Sequence, residues 1–182
     1  MANSILVANE MIVVLIGDKW IGSVLYFQIL CISGMFYPFT VYNLNLLKVK
    51  GLAGLYLKTC LFSKGLLLPI IFISIKFGVI GLVLGLVFQR FFAMVVNSYN
   101  SGKIIDFNLS QQIKSVSNSF FISVFIFVFL YFFKYSFCDG LSNVFNLLFL
   151  SVSYLLLYII LSLKFQRNKI DTVIKLTSFF RN

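Results

Sequence analysis

The chain has 182 residues, of which 60% are hydrophobic and 11% charged, and its mean hydropathy is +1.01. A water-soluble chain is nearer ~45–50% apolar and ~25% charged. This chain therefore has more apolar surface than a water-exposed fold can hide, and the composition points to an integral membrane protein. Formal net charge is +10, yet the basic residues sit between apolar runs and at the C-terminus. That distribution fits membrane orientation and gives no ground for a nucleic-acid partner.

Histidine is absent, which excludes histidine-based metal sites, Ser-His-Asp chemistry and histidine proton relays. Three cysteines, Cys31, Cys60 and Cys138, are scattered and odd in number, and two lie inside apolar runs. They read as small buried side chains, not as a disulfide framework. No acid, base and nucleophile come together in the sequence. The expectation is an all-α membrane protein that is not an enzyme, with no catalytic residue, metal site or cofactor.

Residues 1–16, MANSILVANEMIVVLI, are apolar but too short for a full crossing. A helix needs ~20 residues to cross ~30 Å of hydrocarbon. The stretch lacks the positive charge and cleavage site of a signal peptide, and reads as the far half of an incomplete transmembrane helix. Gly17-Asp18-Lys19-Trp20 is a short turn with an interfacial tryptophan.

Three transmembrane helices are predicted within residues 21–97. The first, Ile21 to Leu47, would be about 40 Å long, more than the bilayer core, so it should tilt, kink or protrude. Lys48 to Gly51 stop it. The second runs from about Leu52 to Ile75 and the third from about Phe77 to Asn97. Gly81 and Gly85 form a small-xxx-small pair in the third. Residues 98–119, SYNSGKIIDFNLSQQIKSVSNS, read as a polar loop with a short interfacial helix around Leu109–Val116.

A final pair of transmembrane helices fills residues 120–163, as Phe120–Phe133 and Leu141–Leu163 with a turn from Lys134 to Gly140 between them. The basic tail, 164–182, spaces Ile170, Val173, Ile174 and Leu176 as a surface-lying helix would, or is a solvated terminus. In all, about five full spans and one partial N-terminal helix are expected.

Orientation follows from the basic residues between spans. Lys48, Lys50, Lys103, Lys114, Lys164, Arg167, Lys169, Lys175 and Arg181 fall on one side; only Lys19, Lys76 and Lys134 fall on the other. The excess places the first set, and the C-terminus, in the cytoplasm.

Three cations lie inside apolar runs: Lys58, Lys64 and Arg90. An uncompensated Lys or Arg at a helix centre costs about 2.5–3.5 kcal/mol on insertion scales. Each therefore either snorkels to the cytoplasmic leaflet, pairs with a carbonyl or Glu10, or faces a watery cavity where it attracts an anion. Glu10 is the acidic residue within an apolar run, and reads either as a coupling-ion site or as an interfacial residue near the outer face.

Pro38 should kink its helix, because it lacks the donor for the Gly34 carbonyl and clashes with it. At 3.6 residues per turn Pro38, Tyr42 and Asn45 share one face, and Thr40 and Asn43 share another, roughly opposite. One face should meet a neighbouring helix and the other an aqueous path; alternatively the asparagines only join helices.

Gly17-Asp18-Lys19-Trp20, then QILCISGMFYPFTVYNLNLLKVKG (28–51), Leu57-Lys58, and the stretch NSYNSGKIIDFNLSQQIK (97–114) together resemble the Wzx-type lipopolysaccharide and O-antigen flippases of the multidrug/oligosaccharidyl-lipid/polysaccharide exporter superfamily. The resemblance implies a C-terminal fragment of a two-lobed bundle of twelve to fourteen helices. Such a bundle flips undecaprenyl-diphosphate-linked sugar repeat units across the bacterial inner membrane by alternating access. The expected partners are the lipid bilayer, the lipid-linked oligosaccharide, an N-terminal half and a polysaccharide polymerase. Lys64, Arg90 and Lys58 are then candidates to hold the diphosphate, Asn43, Asn45 and Tyr42 to meet sugar or line the gate, and Pro38 to flex. The alternatives are a non-transporting scaffold of envelope polysaccharide assembly and a drug exporter of the same superfamily.

Overall fold

The computed structural model describes residues 1–105, 108–137 and 142–165, and among these it is helical throughout, without strands. Two short helices open the chain, α1 (Ala2–Leu6) and α2 (Ala8–Leu15). A 3₁₀ turn over Asp18–Ser23 leads into α3 (Val24–Val49). Then follow α4 (Ala53–Gly65), α5 (Leu67–Ser74), α6 (Gly78–Ile105), α7 (Leu109–Phe137) and α8 (Asn143–Phe165).

Four stretches are long and apolar enough to cross a membrane: Asp18–Val49, Ala53–Ile104, Leu109–Ser136 and Asn143–Phe165. The second doubles back at Gly78, whose φ of 68° is open to glycine and strained for other residues. It therefore makes two antiparallel passes, α4–α5 and α6. With the broken α1–α2 segment this gives the five passes and the partial one expected, and the exposed apolar residues along the passes suit a lipid solvent.

Two glycines make the hairpin tight. A Cβ on Gly81 would lie 2.5 Å from the Ser74 carbonyl oxygen, and one on Gly85 would lie 2.9 Å from Ile70 Cγ2. The small-xxx-small pair thus brings α6 against the α5 turn beside it in sequence.

Three boundaries differ from the sequence reading. The run from Leu52 to Ile75 breaks at Leu66, because Pro69 has no N–H for the Gly65 carbonyl. The stretch read as a loop, 98–119, is helical on both sides of 106–108: α6 continues to Ile105, and the interfacial helix read at Leu109–Val116 is the start of α7. Within it Ser98, Ser101 and Gln112 are buried against other helices. α7 also carries the chain to Phe137, past the turn expected at Lys134. Pro38 lies within α3, which is helical on both sides of it. The tail beyond Phe165 and Cys138 lie outside the described residues.

α3 packs in parallel along α6, with Phe36 against Phe91 and Asn43 against Ser98. α7 and α8 form a second unit. The broken α1–α2 segment is wedged between the two, touching α3 on one side and α7 and α8 on the other. The main apolar core lies at this wedge: Leu6 and Val7 pack on Ile126 and Leu130 of α7 and on Leu150 and Tyr154 of α8.

Candidate functional site

Polar chemistry concentrates in two places, one near each end of the passes. The first lies at the Gly51 end and involves α3, α4, α6 and α7. Asn43 of α3 is fully buried, as are Ser98 and Ser101 of α6, and Gln112 of α7 is 4% exposed. Asn43 and Gln112 form a reciprocal amide pair: Asn43 Nδ2 donates to Gln112 Oε1 at 2.9 Å, and Gln112 Nε2 donates to Asn43 Oδ1 at 3.1 Å. Ser98 Oγ accepts from Asn43 Nδ2 at 2.9 Å, and the Ser101 hydroxyl donates to Asn43 Oδ1.

This network continues onto α4. Ser63 Oγ donates to Asn97 Oδ1 at 3.1 Å, Gln89 Nε2 to the Ser63 carbonyl at 2.9 Å, and Asn100 Nδ2 to Thr59 Oγ1 at 3.0 Å. All of these side chains are uncharged. Leaving a buried amide unpaired costs about 1–3 kcal/mol, so the near-complete pairing fixes how the helices meet. Asn97 Nδ2 is the exception, buried with no hydrogen-bond partner.

The second centre lies at the Gly78 end. Val7 has φ −100° and ψ 17°, outside helical geometry, and separates α1 from α2. Side chains from other helices take the carbonyls next to this break. Gln28 Nε2 of α3 donates to the Ile5 carbonyl at 3.3 Å, and Lys134 Nζ of α7 donates to the Leu6 carbonyl at 3.1 Å. Lys134 also makes an ion pair with Glu10 Oε1 at 2.7 Å, and the Glu10 side chain is only 5% exposed. Glu10 Oε2 is buried and has no hydrogen-bond partner. Among the described residues this is the one ion pair.

The structure sorts the sequence candidates. Asn43 is committed to protein partners and is not open to a ligand. The Thr40–Asn43 face is the one that meets neighbouring helices, whereas Pro38, Tyr42 and Asn45 lie on an exposed strip. Glu10 pairs with Lys134, not with one of the three cations inside the apolar runs.

Those three cations are all exposed and do not meet in one pocket. Lys58 borders an open groove of about 460 Å³ with Leu61, Phe62, Gly65 and Leu66. Lys64 lies outside that groove, across the buried Thr59–Ser63 stripe from Lys58. The Arg90 guanidinium sits over the Tyr37 ring, 5.5 Å from its centroid. Lys48 stacks similarly over Tyr56 at 4.8 Å. Aromatic faces of this kind stabilise a cation by about 0.5–2 kcal/mol while leaving its other side free.

The sequence does not single out Gln112, Ser98, Ser101 or Asn97, and it marks Lys134 only as a basic residue of the outer side. A signal was present: Asn97 and Ser101 are four residues apart, and so fall on one helical strip.

No protein-family model matches the chain, and neither a curated protein nor a solved structure is significantly similar to it.

Proposed function

We propose that the chain is the C-terminal part of a bacterial inner-membrane flippase for undecaprenyl-diphosphate-linked sugar repeat units, acting by alternating access with an N-terminal lobe. The observation that carries this reading is the set of exposed cations in the apolar passes. Arg90 over Tyr37, with Lys58 and Lys64 on α4, offers positive charge with no carboxylate partner among the described residues. A diphosphate is a dianionic or more highly charged group, and Lys and Arg hold it by charge and hydrogen bonds without covalent chemistry. In this reading Tyr42 and Asn45, exposed on α3 with Pro38, meet sugar hydroxyls. Asn43 takes the structural part, holding α3 to α6 and α7.

The resemblance of residues 17–51 and 97–114 to the flippases supports the same reading, as does the arrangement of five passes and a partial one. By the distribution of basic residues, the Gly51 end is cytoplasmic and Trp20 lies at the outer face.

The test is complementation. The chain is co-expressed with a polypeptide supplying the N-terminal lobe, in a bacterium lacking its own flippase, and surface polysaccharide is measured. The reading expects restored polysaccharide, lost in the Lys64→Ala/Arg90→Ala variant while membrane insertion is unchanged. Restoration that survives the double substitution would remove the cations from the substrate path. Capture of a polysaccharide polymerase with no restoration would favour the scaffold.

A further inference from the structure

Oxygen acceptors converge on the Lys134 ammonium at the Glu10–Lys134 centre. The break at Val7 turns the Leu6 carbonyl out of the helical hydrogen-bond ladder, and Lys134 Nζ meets it at 3.1 Å. The Glu10 carboxylate stands on the same ammonium at 2.7 Å, with its second oxygen buried and unpartnered. One turn before the break, Asn3 Oδ1 is also buried without a partner. A carbonyl, a carboxylate and a side-chain amide oxygen are hard oxygen donors, the kind that alkali and alkaline-earth cations select.

The ammonium of Lys134 fills this position now, but only partly satisfies it, since a buried carboxylate needs partners on both oxygens to offset its desolvation. Among the described residues, the Asp18–Ser23 turn packed against α2 carries the charges Asp18 and Lys19, both exposed and neither paired with Glu10 or Lys134. α1 has none, α3 contributes the uncharged Gln28, and the basic residue of α8, Lys164, lies in its last turn at the far end.

We propose that the α1–α2 break and Glu10 form a monovalent-cation site in which the Lys134 ammonium is a tethered occupant. Lys134 supplies the positive charge from within the chain, so the wild-type fold does not depend on a dissolved cation. Without that side chain, a sodium ion takes the ammonium's place on the Leu6 carbonyl and the Glu10 carboxylate. Water enters along the route of the Lys134 stem, whose side chain is 26% exposed, and fills the remaining coordination. This inference is independent of what the chain transports.

The test is thermal unfolding of the full chain in nanodiscs of neutral lipid, comparing sodium chloride with choline chloride at equal ionic strength. Wild type is expected to unfold at the same temperature in both salts. Lys134→Ala and Lys134→Met are expected to be much less stable in choline. They should regain about 5 °C or more as sodium rises from about 1 to about 100 mM, since a ligand bound only by the folded state stabilises with the logarithm of its concentration. Glu10→Gln/Lys134→Ala is expected to lose this sodium response. A Lys134→Ala protein that ignores sodium would overturn the proposal. So would an equal response in the double variant, or a wild-type response that Glu10→Gln leaves intact, since either assigns the effect to another place. Failure of both Lys134 variants to fold even in high sodium would also overturn it, because sodium must be able to replace the ammonium.

Discussion

The two polar centres do similar mechanical work by different means. At the Gly51 end, α3 and α6 are joined to α7 by neutral amides and hydroxyls, centred on the Asn43–Gln112 pair. At the Gly78 end, the α1–α2 wedge is joined to α7 by one full charge pair, Glu10 with Lys134. The neutral network divides its hydrogen bonds among several side chains, so the loss of one leaves the others in place. In the charge pair each group has a single counter-charge. An apolar environment strengthens the pair, but it also magnifies what is lost when one partner goes.

The sharpest way to break the comparison is to remove one charge. Lys134→Ala in sodium-free buffer is expected to destabilise by about 3–5 kcal/mol, the range for orphaning one member of a buried pair. Thermal or denaturant unfolding in detergent reads this directly. Removing both charges, as in Glu10→Leu/Lys134→Leu, is expected to recover most of that loss, because apolar replacements of a buried pair are often neutral or better. A double variant as weak as the single one would show that the carbonyl bond from Lys134, not the charge pair, holds the wedge.

The neutral centre should respond less. In a cycle of Asn43→Leu, Gln112→Leu and the double variant, the coupling energy is expected at about 0.6–1.7 kcal/mol, as for interhelical hydrogen bonds in membranes. A coupling as large as the loss in Lys134→Ala would erase the distinction between the two ends. The smallest effect is expected at the exposed surface. Arg90→Ala should change unfolding stability by no more than about 1 kcal/mol, the lower range of a cation–π contact. Under the flippase function proposed above, its larger effect is expected on surface polysaccharide.

The number of passes was legible in the sequence because apolar runs of membrane length leave few alternatives. The polar layer was harder to see. Ser98, Ser101 and Gln112 sit in a stretch whose composition reads as a loop in water. Within a bundle, the same residues are the inward strip of two helices that run on to Ile105 and from Leu109. Asn43 was read correctly as lying on a different face from Pro38, Tyr42 and Asn45. Which of these faces met protein depended on packing that periodicity does not encode. The break at Leu66 had a local cause in Pro69, whereas the partner of Glu10 is remote. Nothing in the residues around Glu10 indicates that its cation comes from α7 and not from Lys64, which an orientation count alone would also permit.

The distance along the chain between the partners bears on how the protein is made. Lys134 is 128 positions beyond Leu6, whose carbonyl it holds. At ribosomal speeds of about 5–20 residues per second, roughly 6–26 s pass between the synthesis of one and the other. During that interval Glu10 lacks its Lys134 partner, and a lone carboxylate deep in lipid is disfavoured. Until α7 arrives, the α1–α2 segment is therefore favoured at the membrane surface or beside the insertion machinery. The Glu10–Lys134 pair then serves as a late assembly step, locking α1 and α2 against α7.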